Sequence, residues 1–520
     1  MTAMTGVRPL VLALLDGWGA RGERDGNALA LARTPIYDRL AATWPTTQLE
    51  AAGEAVGLAS GKPGHPQAAY ATIGAGRPVE PPSARIARAF ASDGPNGIAA
   101  HPLLREIVSR VRPLGGAVHL IGAVTPSGIA GNQHYMAVLA ALLSHEGVKV
   151  WVHAVMDGQD TRPQGGIDHL SEFLDDIAGA EHADLGSVLG RAYGFDDGCD
   201  PAATATAWRA LANAEAPYTE YPTAYLDECY RKGLDDDRVM PALASSFRGI
   251  RQDDALLLVN LQPDHGQSLL AALSDPLAAG LAQKSPVLSG VYSLVKLGAP
   301  LGNGVASLYD AISFAPGLAA TLAAAGLKQL TLTESIAETN LSTFARGGAA
   351  SLFTGETVLV TDSPAQIERK PDLASASITS ELLAALKKGE HDVITAAFAN
   401  PAVLGRTGNL KATIAAIEAV DKCLGKIAAQ IDKRGGTLIL CGTYGKAETM
   451  LDPETGGPCR RTTASPVPFV MIGGRKDVSL ERGTLADVAP TLLHLCGVDA
   501  PATMTGRSLA AAQTADRVSA

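Results

Sequence analysis

The nearly continuous apolar run Pro9-Leu10-Val11-Leu12-Ala13-Leu14-Leu15, closed by Asp16-Gly17-Trp18-Gly19, leaves this chain few choices of fold. An apolar stretch without alternation reads as a strand buried on both faces, as in parallel sheets. Its carboxyl end carries Asp16, at the edge where open α/β sheets place their chemistry. No second run of this kind occurs in the first eighty residues, and an isolated strand is not stable. This strand is therefore expected to join a sheet built from residues far along the chain.

Candidate partners begin past residue 317. Strands are expected at Lys328–Thr333, Thr357–Thr361, Asp392–Phe398, Thr437–Cys441 and Val467–Ile472, with a long helix over Leu410–Ile431. The middle of the chain repeats the alternation, with strands at Ala117–Ala123, Val148–Val155, Ala255–Leu261 and Pro286–Val295. Strands alternating with helices indicate an α/β fold. Two proline- and glycine-rich stretches separate the blocks, Arg77-Pro78-Val79-Glu80-Pro81-Pro82 and Leu297 to Gly304 with Phe314-Ala315-Pro316-Gly317. Residues 1–80 and 317–510 are thus expected to form one discontinuous domain. Residues 81–316 would be an inserted second α/β domain, and 511–520 a flexible tail.

Composition excludes some partners. A net charge of −10 and 5% aromatic residues disfavour a nucleic-acid or anionic-membrane surface. The run Leu10–Leu15 is too short to span a membrane. None of the six cysteines forms a Cys-x-x-Cys pair, which fits a reduced, cytoplasmic setting.

The stretch Gly64-His65-Pro66-Gln67-Ala68-Ala69-Tyr70, running into Ile73-Gly74-Ala75-Gly76-Arg77, lies between a glycine-rich loop and a helix-like segment. Such a place can present a nucleophile with its backbone pinned. Here the position holds Pro66, which has no nucleophilic atom. His65 and Tyr70 flank it. His65 reads as a loop histidine rather than a phosphate acceptor.

Leu14-Leu15-Asp16-Gly17-Trp18-Gly19, Thr34-Pro35-Ile36-Tyr37-Asp38-Arg39-Leu40, Ile73 to Arg77, Val152-His153-Ala154, Asp157-Gly158, Asp160-Thr161, Phe398-Ala399-Asn400-Pro401, Ala447-Glu448, Pro466-Val467-Pro468-Phe469 and Leu485 to Thr491 occur in one order along the chain. In these features the chain resembles the cofactor-independent (2,3-bisphosphoglycerate-independent) phosphoglycerate mutases of the alkaline-phosphatase superfamily. The resemblance implies an alkaline-phosphatase-like discontinuous domain carrying an inserted α/β domain. It also implies two manganese ions held by aspartates and histidines, a serine that accepts the phosphoryl group, and arginines that clamp the substrate.

Carried over residue by residue, the resemblance is uneven. The opening ligand is kept as Asp16, while the serine falls on Pro66. The other ligand positions fall on Ala402, Arg406, Thr443, Tyr444 and Thr462. Of the substrate positions, Asp160 and Arg191 are kept. Gln159, Asp197, Gln262, His265 and Ala337 stand where the family has other residues. The resemblance to a mutase with these replacements makes it a degenerate member. The expected function is a catalytically inactive homologue that acts as a binding, scaffold or regulatory subunit. No cofactor is expected, and the expected partners are a protein and a phosphorylated or anionic small molecule. The alternative is an active mutase interconverting 3- and 2-phosphoglycerate, or a hydrolase with a displaced site. Arg406 either fills the vacated metal region and pairs with Asp16, or points to solvent as an ordinary surface arginine. Arg460 and Arg461 with Lys446 and Arg406 read as a solvated basic cluster rather than an anion pocket.

Overall fold

All eight residues of the strand Leu10–Gly17 are buried, as an unbroken apolar run requires. In this computed structural model residues 8–512 are described, except 129, 159–160, 163, 196–199, 263–264, 278–279, 282–285, 299–300, 302–303, 339, 350, 365–366, 453–455 and 475–477. The chain divides into two units, Met1–Ala84 with Ile312–Ala520, and Arg85–Ala311.

In the first unit, Leu10–Gly17 lies between Val393–Phe398 and Thr437–Gly445, parallel to both. The eight-stranded sheet continues through Gln329–Glu334 to the edge strand Glu356–Thr361 on one side. On the other side it adds Val467–Ile472 and Thr46–Glu50 in antiparallel pairing, then Gly483–Thr484. Alternation along the opening strand divides the core. Leu10, Leu12 and Leu14 pack with Tyr70 and Ile73 of helix Pro66–Ala75. Val11, Ala13 and Leu15 pack with Ile417, Val420 and Leu424 of helix Leu410–Arg434. Side chains two apart share a face of a strand, so one run feeds both layers.

The second unit has its own eight-stranded sheet, centred on Ala255–Val259, Ala117–Val124, Lys149–Met156 and Ala183–Gly190, all parallel. A buried polar chain crosses it. The His153 ring nitrogens lie 2.8 Å from Ser187 Oγ and 2.9 Å from His119 Nδ1, and His119 Nε2 lies 3.0 Å from Asp254 Oδ2. Burial and the neighbouring His119 hold the His153 pKa well below the usual histidine range. Asp254 also accepts the backbone N–H groups of Ala117 and Arg251. The chain ties three strands together from inside, and every member finds a partner.

Eight strands among the described residues escaped the sequence reading, and two of them are five residues or longer. Thr46–Glu50 exposes Thr46 and Glu50 and carries no apolar run. Ala183–Gly190 is interrupted by Asp184, Gly186 and Ser187. Residues 511 and 512, expected in the flexible tail, instead belong to a strand, Ala510–Ala512, that pairs antiparallel with Val478–Leu480; the rest of that expected tail lies outside the described residues. No helix among the described residues is long and apolar enough to cross a membrane.

Helix Pro66–Ala75 starts with proline at its first position, where the missing N–H costs nothing. It stops at Gly76, whose φ of 62° closes the last turn. A Cβ on Gly74 would lie 1.9 Å from the Ala345 carbonyl oxygen, so the backbone approach there tolerates only glycine. Gly74→Ala is therefore expected to lower stability by at least about 2 kcal/mol in urea denaturation. An unchanged midpoint would show that the Ala345 segment yields freely.

Candidate functional site

The strand end brings Asp16 beside three other segments. Gly17 has φ +75°, and a Cβ there would lie 2.8 Å from Ala402 Cα. Helix Asn400–Thr407 thus abuts the strand end, with Ala402 fully buried. The neighbouring strand Thr437–Gly445 delivers Thr443 and Tyr444. Helix Pro66–Ala75 delivers Tyr70 one turn after Pro66.

Asp16 is 1% exposed, and its Oδ1 accepts two hydroxyl hydrogen bonds. Tyr70 Oη donates at 2.8 Å and Thr443 Oγ1 at 2.6 Å. Burial raises the Asp16 pKa to about 6, against the two hydroxyl bonds and the charge of Arg406, which favour the carboxylate. The same burial, and then the Asp16 charge, pushes the Tyr70 and Tyr444 hydroxyls above the usual tyrosine range. The Asp16–Arg406 pair is not made. Arg406 sits exposed in the last turn of its helix and acts on Asp16 from beyond ion-pair distance. Two hydroxyls have taken the role given to it.

His65 precedes Pro66 as the helix N-cap residue, without a capping bond from its side chain. Its Nδ1 is enclosed with no hydrogen-bond partner, and burial lowers its pKa to about 4. It is therefore neutral at pH 7. Lys446, immediately beyond the Tyr444 strand, is fully buried. Its Nζ donates to the Cys459 carbonyl at 3.0 Å, and burial lowers its pKa to about 8. Glu448 accepts the Lys446 backbone N–H at 2.8 Å and the Thr463 hydroxyl. Thr462 is half-buried in the loop beside it. Arg461 reaches outward to Asp452 at 2.6 Å. Lys446 turns inward and Arg461 outward, while Arg460 lies against Gly408, beside the end of the Arg406 helix. Sequence reasoning gave Lys446 and Thr443 no structural part, because only tertiary packing buries the one and aims the other.

Glu334 ends a neighbouring strand and accepts Ser363 Oγ at 2.9 Å. Burial raises its pKa, and the Asp16 charge adds to this. Ala337 follows and packs against Val403 and Leu404.

In the second unit, Arg191 opens a short helix at the end of Ala183–Gly190. Its Nη1 donates to Asp157 Oδ1 at 2.8 Å, both side chains buried. Its Nη2 lies 3.4 Å from His265 Nε2, and His265 stacks on Phe195. Gln262 is half-buried in the same loop as His265. Arg191, Asp157 and His265 are thus brought together. Gln159, Asp160 and Asp197 lie outside the described residues.

Residues 8–500 match the family model described as the metalloenzyme superfamily. The 2,3-bisphosphoglycerate-independent phosphoglycerate mutase of Rhodopseudomonas palustris is 34% identical over 506 residues, covering 96% of this chain and 99% of that protein. That of Agrobacterium fabrum is 33% identical over 505 residues, covering 96% and 99%. Among solved structures, phosphoglycerate mutase from Leishmania mexicana at low cobalt concentration superposes with a TM-score of 0.83 at 24% identity, over 97% of each chain. The fold is accordingly α/β and alkaline-phosphatase-like. By their names, the curated relatives favour an active mutase over an inactive homologue.

The expectation that no metal cofactor is used is corrected by the family match, which is to a superfamily of metalloenzymes. The donor set at Asp16 itself does not fit a dication. Two hydroxyl groups share its Oδ1, Ala402 offers no ligand atom, and a guanidinium charge acts on the carboxylate. Among the described residues, no group of three or more His, Cys, Asp or Glu side chains could hold one ion. We derive no reaction step through a metal at this position.

The raised Asp16 pKa makes a pH prediction. From the ordinary 3.8 up to about 6, the folded state binds a proton that the unfolded chain releases, so stability falls as pH rises through this window. Asp16→Asn lacks the titrating group. In protein stripped of divalent cations, the variant should gain about 2 kcal/mol on the wild type between pH 4 and 6.5. Parallel stability curves from urea denaturation would contradict the raised pKa.

Proposed function

The chain belongs to the family of 2,3-bisphosphoglycerate-independent phosphoglycerate mutases, and on that premise we propose that it keeps the family scaffold without serine-based phosphoryl transfer and acts by binding. The observation that carries this reading is the state of the helix start beside Asp16. Pro66 offers no hydroxyl there. The hydroxyls that do reach Asp16, on Tyr70 and Thr443, donate their protons to its carboxylate. A nucleophile needs a base that takes its proton and a lone pair aimed at substrate. Tyr70 is instead held protonated by burial and by the adjacent carboxylate.

On the same footing we propose a protein partner, and a phosphorylated or anionic small molecule as ligand. Arg191, which the family resemblance assigns to the substrate, supports a ligand of that charge, and it is held by the buried Asp157. A cytoplasmic location fits the five described cysteines, Cys229, Cys423, Cys441, Cys459 and Cys496, which are free and buried. Cys199 lies outside the described residues.

The second reading is an active phosphoglycerate mutase. Identity of 34% over nearly the full length of a relative bearing that name supports it.

One assay separates the two. Purified protein is incubated with 3-phosphoglycerate in added manganese, and formation of 2-phosphoglycerate is measured alongside bound metal. The first reading expects turnover at least about 10³-fold below the usual enzyme range of 1–10³ per second. Pro66→Ser alone should not raise it, because a lone hydroxyl at that position still lacks a base. Turnover within that range would replace the first reading by the second.

A further inference from the structure

The parallel strands of the second unit have two ends. Asp157 and Arg191 stand at the carboxyl end, just after Lys149–Met156 and Ala183–Gly190. The amino end carries a cavity of about 190 Å³, walled by Lys149, Trp151, Ser246, Arg248, Arg251 and Asp254. A strand of eight residues such as Lys149–Met156 is about 23 Å long, so the two ends are separate places.

Three of these six wall residues are cations, in a chain whose net charge is −10. Each has donors to spare. Arg251 is exposed, and its guanidinium has no partner among the described residues. The same holds for the Ser246 hydroxyl. Arg248 Nη1 donates to the Ser245 carbonyl at 2.6 Å and the Phe247 carbonyl at 2.7 Å, and its Cζ lies 5.5 Å from the centre of the Tyr218 ring. Those bonds pin the guanidinium and leave the N–H groups of Nε and Nη2. Lys149 Nζ lies 4.4 Å from the centre of the Trp151 ring and pairs with Asp184. That pair is open to water, with side chains 36% and 55% exposed, and an exposed pair contributes little.

The acid in the wall is already engaged. Asp254 Oδ1 accepts the Ala117 N–H at 2.7 Å, and Oδ2 accepts the Arg251 N–H at 2.7 Å and lies 3.0 Å from His119 Nε2. Its carboxylate is 5% exposed and serves the start of the sheet, not the cations of the cavity.

We propose that this cavity binds a phosphate dianion, free or as the head of a small phosphomonoester. A tetrahedral oxyanion has oxygens enough to meet the two guanidinium groups, the ammonium and the Ser246 hydroxyl together. Pockets for drug-sized ligands run to about 300–1,000 Å³, so a smaller cavity selects a small ion or a short head group. The half-buried Trp151 gives a short carbon body an apolar wall. A ligand here touches neither the Asp16 cluster nor Arg191.

Isothermal titration calorimetry of the full chain at low ionic strength tests this, with inorganic phosphate and then glycerol phosphate as titrants. The expected result is saturable binding with a Kd below about 1 mM for at least one of them. Tighter binding of glycerol phosphate identifies a phosphomonoester, and equal or weaker binding identifies free phosphate. Arg251→Ala and Arg248→Ala should each raise the Kd at least about tenfold. Arg105→Ala removes an exposed arginine of helix Pro102–Val111 that is not part of the cavity wall, and it should leave the Kd unchanged. Circular dichroism checks that each variant folds. Should Arg248→Ala unfold for want of its carbonyl bonds, the exposed Arg251 carries the test. Absence of saturable binding by either titrant overturns the proposal. So does binding that Arg251→Ala leaves unchanged, which belongs elsewhere on the chain, or equal weakening by Arg105→Ala, which is diffuse charge alone.

Discussion

Removing the Asp16 carboxylate from water is the constraint around which the first unit is arranged. A buried carboxylate without donors is costly, and its neighbours must supply hydrogen bonds or it takes up a proton. Both responses are visible. Tyr70 and Thr443, remote from Asp16 and from each other in the chain, converge on one oxygen. The pKa still rises to about 6. Helix Pro66–Ala75 and strand Thr437–Gly445 are therefore joined to the opening strand by polar bonds as well as by the apolar core. The same bonds leave Tyr70 and Thr443 as donors to a carboxylate rather than as groups facing a substrate.

Several other buried polar groups find partners in the same local way, whereas His65 Nδ1 finds none among the described residues. Ser187, His153, His119 and Asp254 form a closed chain across the second sheet. Arg191 finds Asp157, and Lys446 finds a backbone carbonyl. Membership of a mutase family accounts for the scaffold over nearly the whole chain. Chemistry resides in particular side chains carried by a scaffold, and these can change while the scaffold persists. The tension between the relatives' names and the side chains at Asp16 is a tension between those two levels.

The alternation of strands and helices was legible because buried parallel strands are written as unbroken apolar runs. Leu10–Leu15 and Ala255–Val259 are cases in point. Thr46–Glu50 and Ala183–Gly190 were not legible, since one is half-polar and the other broken by glycine and polar residues. At the site, the ordered motifs located Asp16, Pro66, Thr443 and Tyr444. They did not reveal the bonding among them. The reading that pairs Arg406 with Asp16 rested on opposite charge, which ignores where the side chains point. Arg406 lies in the exposed last turn of its helix, and two uncharged hydroxyls reach Asp16 first. The expectation of no metal cofactor drew on single positions alone and was overturned by the family match.

The sequence by itself determined the α/β class, the kinship, and the residue types at the strand end, including a proline where a nucleophile would stand. These are properties of apolar patterning and of ordered local motifs, which need no knowledge of distant contacts. Only the tertiary structure decided that Tyr70 and Thr443 bond Asp16, that Lys446 is wholly buried, and that Lys149, Arg248 and Arg251 line one cavity. Each depends on which segments meet in space and on how much water remains between them. Burial, not residue type, is what lifts Asp16 toward neutrality and lowers Lys446 and His65.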